Sequence, residues 1–180
     1  KKLKDIASSA KKDIKIGIVE GDNIIDYLDG FISKGVQLDN MDTNEKIESI
    51  KDRICSANVY IDSFNIKEAL DRSADIVLAG RVSDPGLSLG PMLHEFGWHQ
   101  NDYDKIAAGT LAGHVVECGA QCTGGNHTRW MDVENIEKIG YPIIDISSNG
   151  DFNIIKNKNS GGLINKYTIC EQILYEMGDP

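Results

Sequence analysis

No run of apolar residues in the chain approaches the roughly 18 needed to cross a bilayer, so no membrane-spanning helix is expected. Basic residues are in the minority. Nineteen Lys and Arg against 28 Asp and Glu give a formal net charge of -9, spread along the chain, so neither a phosphate-backbone footprint nor a membrane-surface patch is expected. Nucleic acid and membrane are therefore not expected partners. Cysteine is sparse and unframed: Cys55, Cys118, Cys122 and Cys170 are scattered, which reads as reduced thiols rather than a disulfide scaffold. The opening KKLKDIASSAKK lacks the apolar core of a signal peptide, so a cytoplasmic protein is expected, or an organellar-matrix one if a leader precedes it. Also missing are an internal repeat, a Walker sequence, a Gly-x-Ser-x-Gly elbow and a full dinucleotide fingerprint.

What remains is ordinary globular chemistry, 41% hydrophobic and 26% charged, enough for one compact domain. Lys1 to Lys12 reads as the tail of a helix without a cap. Asp13 to Glu20 is a strand closed by a Glu20-Gly21-Asp22-Asn23 turn, and Ile24 to Ser33 an amphipathic helix, which together begin a βα unit. A short helix over 44–54, a strand over 57–62 and a helix over 64–72 follow. Ala74 to Gly80, ADIVLAG, has the pattern of a buried parallel strand. At its exit Asp84 is placed to cap, and Pro85 to begin, a helix running to about Phe96, with Arg81 projecting from the strand mouth. His94 in the last turn of that helix suits the dipole. Toward the end, PIIDIS and DFNIIK joined through Ser148-Asn149-Gly150 form a hairpin, and Lys166 to Met177 a last amphipathic helix. The expected fold class is α/β, three-layered with a mainly parallel sheet and Rossmann-like βα units, plus the small hairpin.

The densest chemistry lies in Asp104 to Cys122, DKIAAGTLAGHVVECGAQC, read as one apolar helix. Thr110, His114, Glu117 and Gln121 recur in steps of four, three and four, within roughly 60° of one another around the axis. Gly109 and Gly113 would let a neighbouring backbone come close. Such a seam is either a satisfied core network, with Glu117 paired to an arginine such as Arg81, or a row facing a ligand. His114, Cys118, Cys122 and His127 could be aligned as zinc ligands. Structural zinc prefers knuckle spacings on loops, however, so buried thiols are the simpler reading and no metal is expected. The Thr123-Gly124-Gly125-Asn126 turn could present amides to an anion or simply end the helix.

The segments ADIVLAGRVSD, LHEFGW, AAGTLAGHVVECGAQCTGG and SGGLINKYTICEQILYEMGDP resemble the N-terminal domain of the acyclic terpene utilization protein AtuA family, and the likeness covers most of the chain. The family domain is longer at both ends, so residues 1–180 resemble an interior, partial α/β domain. The resemblance implies a role in the breakdown of acyclic terpenoids or related branched acids carried as coenzyme A thioesters. Gly80, Arg81, Asp84, His94, Glu95, Thr110, His114, Glu117, Gln121, Thr123, Gly124 and Gly125 match its motifs.

The expected activity is proton transfer next to a carbonyl, of hydratase or lyase type. Glu117 and His114 are the catalytic candidates, and Arg81 with Gly124 and Gly125 would hold the anionic group. Asp84, Thr110, Gln121 and Thr123 complete the substrate-binding set. The expected partner is a small carboxylate or an acyl-CoA, with coenzyme A as part of the substrate and no separate cofactor, and a homo-oligomer is compatible with it. A noncatalytic subunit of an acyl-CoA-processing assembly is the alternative, and a zinc hydrolase a third reading.

Overall fold

The computed structural model describes residues 1–177. In chain order, α1 (Lys2–Ser9) leads to β1 (Ile16–Val19), then through a 3-10 turn to α2 (Leu28–Ser33) and the single-turn α3 (Ile47–Ile50). Helix α4 (Ser63–Asp71), strand β2 (Ile76–Ala79) and helices α5 (Gly86–Glu95) and α6 (Tyr103–Glu117) form the middle of the chain. The hairpin β3 (Pro142–Ile146) and β4 (Phe152–Lys156) and the final helix α7 (Lys166–Met177) complete it.

Strands β1 and β2 pair in parallel, Ile16 opposite Ile76 through Val19 opposite Ala79. Side chains alternate across a strand, so Gly17, Val19, Val77 and Ala79 turn one way and Ile18, Ile76 and Leu78 the other. The first face is half-buried under α4, close enough that a Cβ on Gly17 would lie 3.0 Å from Ala74 and 3.2 Å from Ala69. The second face is open: Ile18 is 63% and Leu78 51% exposed. β2 was expected to be covered on both sides, and only one side is. Among the described residues the parallel sheet has two strands, so the α/β class stands as mixed helix and strand with one parallel pair and one antiparallel hairpin. The expected strand over 57–62 makes only isolated bridges, Asn58 antiparallel to Asn23 and Ile61 parallel to Val82. Its two ends follow different partners, so no ladder propagates.

The core is a stack of helices brought together at small residues. Asp62 caps α4 by accepting from the Phe64 and Asn65 amides at 2.9 and 3.2 Å. Gly90 of α5 lies against Ile66 of α4, where a Cβ would come within 2.6 Å. Gly113 of α6 meets Pro85 at the entry to α5, and Gly109 meets Leu89 and Trp98. The close backbone approach expected of the two α6 glycines is present at Gly113, which meets the Pro85 Cα and carbonyl, whereas Gly109 makes room for side chains. Leu89, Leu93 and Trp98 form the buried centre, with Phe64, Met92, Phe96, Ile106 and Ile146 packed around it. Trp98 donates its indole N–H to the Ser148 carbonyl at 2.8 Å and so ties the hairpin to the stack.

Two boundaries depart from expectation with consequences for the site. α5 begins at Gly86 behind a Ser83–Gly86 turn, so Asp84 does not cap it and its carboxylate is not used by the helix. α6 ends at Glu117 rather than Cys122, because Gly119 takes φ +55° and turns the chain into a 3-10 segment over Gly119–Gln121.

Candidate functional site

At the carboxyl end of β2 the chain opens into a cavity of about 640 Å³ whose wall includes Asn58, Arg81, Asp84, Leu87 and Glu117. Its rim is fixed by Asp22, just past β1, whose carboxylate accepts from the Arg81 amide at 2.9 Å and from the Asn58 side chain at 2.7 Å. The Arg81 amide, foremost, holds the Asp22 carboxyl below the usual carboxylate range. The Arg81 guanidinium lies over the Tyr60 ring, 5.5 Å from its centroid, and among the described residues forms no ion pair. The pairing of Arg81 with Glu117 or Asp84, weighed from the sequence, is thus absent there.

Contact of Gly113 with Pro85 brings the last turn of α6 to the exit of β2, which is how Glu117 reaches the same hollow as Asp84. Its carboxyl is raised above the ordinary range, first by burial and then by the negative charges of Asp84 and Glu176. Its Oε2 lies 3.8 Å from His114 Nδ1, beyond hydrogen-bonding reach, and that buried nitrogen has no hydrogen-bond partner among the described residues.

Behind this pair stands Glu176 of α7. It accepts from the Cys118 thiol at 2.8 Å and from Gln172 Nε2 at 2.9 Å, and Gln172 also donates to the His114 carbonyl at 3.1 Å. The hydrogen bond to Glu176, with burial, pushes the Cys118 thiol up to about 11. Ligand atoms of His114, Glu117 and Glu176 all lie within 4.8 Å of one another. No local motif in the sequence marks Glu176 as a site residue. The available signal was its place four residues after Gln172, on one face of an amphipathic helix.

The remaining predicted residues fall elsewhere. Thr110 sits almost two turns before Glu117, half-buried and off the cavity wall, and Gln121 leaves the helix axis with a buried Oε1 that has no partner among the described residues. Thr123 is fully buried, its hydroxyl donating to the Ala120 and Gly140 carbonyls. The Gly124 and Gly125 amides donate to Gln121 and Ala120 at 3.0 and 2.9 Å, so they are engaged inside the turn rather than turned toward an anion. Of the aligned His and Cys set, Cys122 is wholly buried and His127 is paired with Glu171 at 2.7 Å. His94 pairs with Asp71 at 2.6 Å. No helix among the described residues is long and apolar enough to cross a membrane.

These features define a mixed α/β domain with an acidic cleft at the carboxyl end of a parallel strand. A family model described as acyclic terpene utilisation family protein AtuA matches residues 1–180, and the chain belongs to that family. Membership implies a role in acyclic terpene utilisation. No curated protein and no solved structure matches the chain.

Proposed function

We propose that the chain is an enzyme of acyclic terpenoid or branched-chain acid breakdown. It takes an acyl-CoA or small carboxylate into the cleft and moves a proton at the carbon next to the carbonyl, in hydratase- or lyase-type chemistry. The observation that carries this reading is the shared wall: the Arg81 guanidinium, without an ion pair among the described residues, and Glu117, whose carboxyl is raised by burial and neighbouring charge, line one hollow of about 640 Å³. A carboxyl raised by burial and neighbouring charge is a stronger base when ionised and a proton donor nearer neutral pH when not. Glu117 takes the proton from the carbon, the resulting enolate is offset by Arg81, and His114 exchanges the proton onward. Asp84 lies on the same wall, and its negative charge adds to the burial that raises the Glu117 carboxyl. Anion holding falls to Arg81 alone, since the Gly124 and Gly125 amides are engaged.

The test is turnover of a panel of branched acyl-CoA thioesters and free carboxylates by the chain and its Glu117→Gln and His114→Ala variants. Both variants are expected to keep the native circular dichroism spectrum and lose activity. Loss of activity only through unfolding would reduce the seam to a structural one. The open face of Ile18, Ile76 and Leu78 favours the second reading, a noncatalytic subunit docked in an assembly. Ligand at 100 times its dissociation constant stabilises a binding protein by about 2.7 kcal/mol, so an unchanged melting temperature across the whole panel would favour the subunit.

A further inference from the structure

We infer that the converging carboxyl ends of α6 and α7 form a site for a divalent transition-metal cation, held by His114 Nδ1 and by carboxylate oxygens of Glu117 and Glu176. The three ligand atoms already lie within 4.8 Å of one another. Ligands at about 2.1 Å from a common ion sit at most about 4.2 Å apart, so small side-chain rotations complete the geometry.

Charge points the same way. Helix α6 ends at Glu117 and α7 at Met177, and contacts of Gln172 with His114 and of Cys118 with Glu176 set the two helices side by side with both carboxyl ends at the cluster. Each end carries partial negative charge. Added to them are the carboxyls of Glu117, Glu176 and Asp84, and among the described residues no lysine or arginine forms an ion pair with any of the three. A concentration of one sign this dense, partly out of water, calls for a counter-cation.

Two buried atoms supply the independent observation. Among the described residues His114 Nδ1 has no hydrogen-bond partner, although a buried imidazole nitrogen ordinarily has one. Gln172 is fully buried, braces Glu176 through its Nε2 and among the described residues leaves its Oε1 without a partner. An orienting hydrogen bond behind a ligating carboxylate is a usual companion of a metal centre. One imidazole nitrogen and two carboxylate oxygens suit zinc or manganese better than magnesium, which prefers oxygen alone, or monovalent copper, which prefers sulfur. The remaining coordination positions can open toward the cleft, because Glu117 belongs to both. This inference rests on the geometry of the cluster and not on the reaction proposed above.

The experiment is calorimetric titration of the full chain, stripped with chelator and dialysed, with Zn²⁺ and separately with Mn²⁺, together with visible absorption of the Co²⁺ form. One equivalent is expected to bind. Affinity should fall at least about 10-fold in Glu117→Gln and Glu176→Gln, and a similar loss is expected when the bracing amide is removed in Gln172→Leu. His114→Ala should abolish the cobalt band, and Glu117→Gln, at a solvent-facing side chain, keeps the test valid if the buried variants fail to fold. Absence of stoichiometric binding, or binding indifferent to these substitutions, overturns the site. Binding without turnover on any substrate would keep the site and remove the proton-transfer reading, and turnover by a chain that binds no cation would do the reverse.

Discussion

Replacing Gly113 by alanine puts a methyl group where α6 touches the entry of α5. The added Cβ would lie 2.5 Å from Pro85 Cβ, 2.8 Å from its Cα and 3.1 Å from its carbonyl oxygen, against the roughly 3.5–4.0 Å of comfortable contact between carbons. Two of the three atoms are backbone, so relief requires the helices to part by on the order of 1 Å. Overpacking of this kind costs about 1–3 kcal/mol. Alanine also improves the helix itself by up to about 1 kcal/mol, and that gain must be separated from the clash. Gly30→Ala in α2 does so: the site is a helical glycine with nothing within 4 Å of its Cβ, so only the gain should appear. Urea unfolding followed by far-UV circular dichroism should place Gly113→Ala about 1–3 kcal/mol below Gly30→Ala. At about 2–4 °C per kcal/mol for a chain of this size, the difference is visible in thermal melts as well. The two variants unfolding at the same midpoint would refute the close-approach account of the helix stack. It would also remove the reason for Glu117 to stand beside Asp84.

Trp98→Phe should lower stability by about 1–3 kcal/mol in denaturant titrations, because it leaves the Ser148 carbonyl without its indole donor and the buried centre short of volume. Glu171 is held below the ordinary carboxylate range, chiefly by the hydrogen bond from His127, so its contribution is present above the unfolded value near 4.3 and is lost as pH falls through the lower folded value. Acid titrations should therefore show Glu171→Gln less stable than the parent at neutral pH, with the gap closing below about pH 4. In chelator-treated protein at pH 8, alkylation followed by mass spectrometry should label exposed Cys55 and Cys170 first. Cys118 and Cys122, both pushed up to about 11, should lag by about two orders of magnitude.

Features dictated by neighbouring residues were the legible ones. α7 occupies the span read from its amphipathic pattern, α4 differs by a residue at each end, and the hairpin over 142–156 follows from alternation around Asn149-Gly150. Arg81 and Asp84 are legible because each follows the end of a strand, and Glu117 because it stands in the polar seam of an apolar helix; all three line the cleft. What escaped depends on distant partners. Glu176 meets Cys118 across 58 positions of sequence, and no local pattern announces that contact. Thr123 to Gly125 looked like an open turn, but it is closed by the Gly140 carbonyl and the Leu163 amide. Residues 57–62 have strand-like composition, yet pair with different partners at their two ends. In α6 the apolar pattern runs past Glu117, and the positive φ of Gly119 overrides it.

The Asp22 carboxylate fills the space where a side chain on Gly80 would stand, and from there grips both Asn58 and the Arg81 amide. Positions 22 and 80 are thus sterically coupled. A relative that acquires any bulk at 80 must shorten or lose the acid at 22, and in losing it frees the arginine loop from the first strand. Drift at one of these places should accordingly be tolerated only in company with drift at the other, which makes this pair the joint on which the pose of the guanidinium hangs.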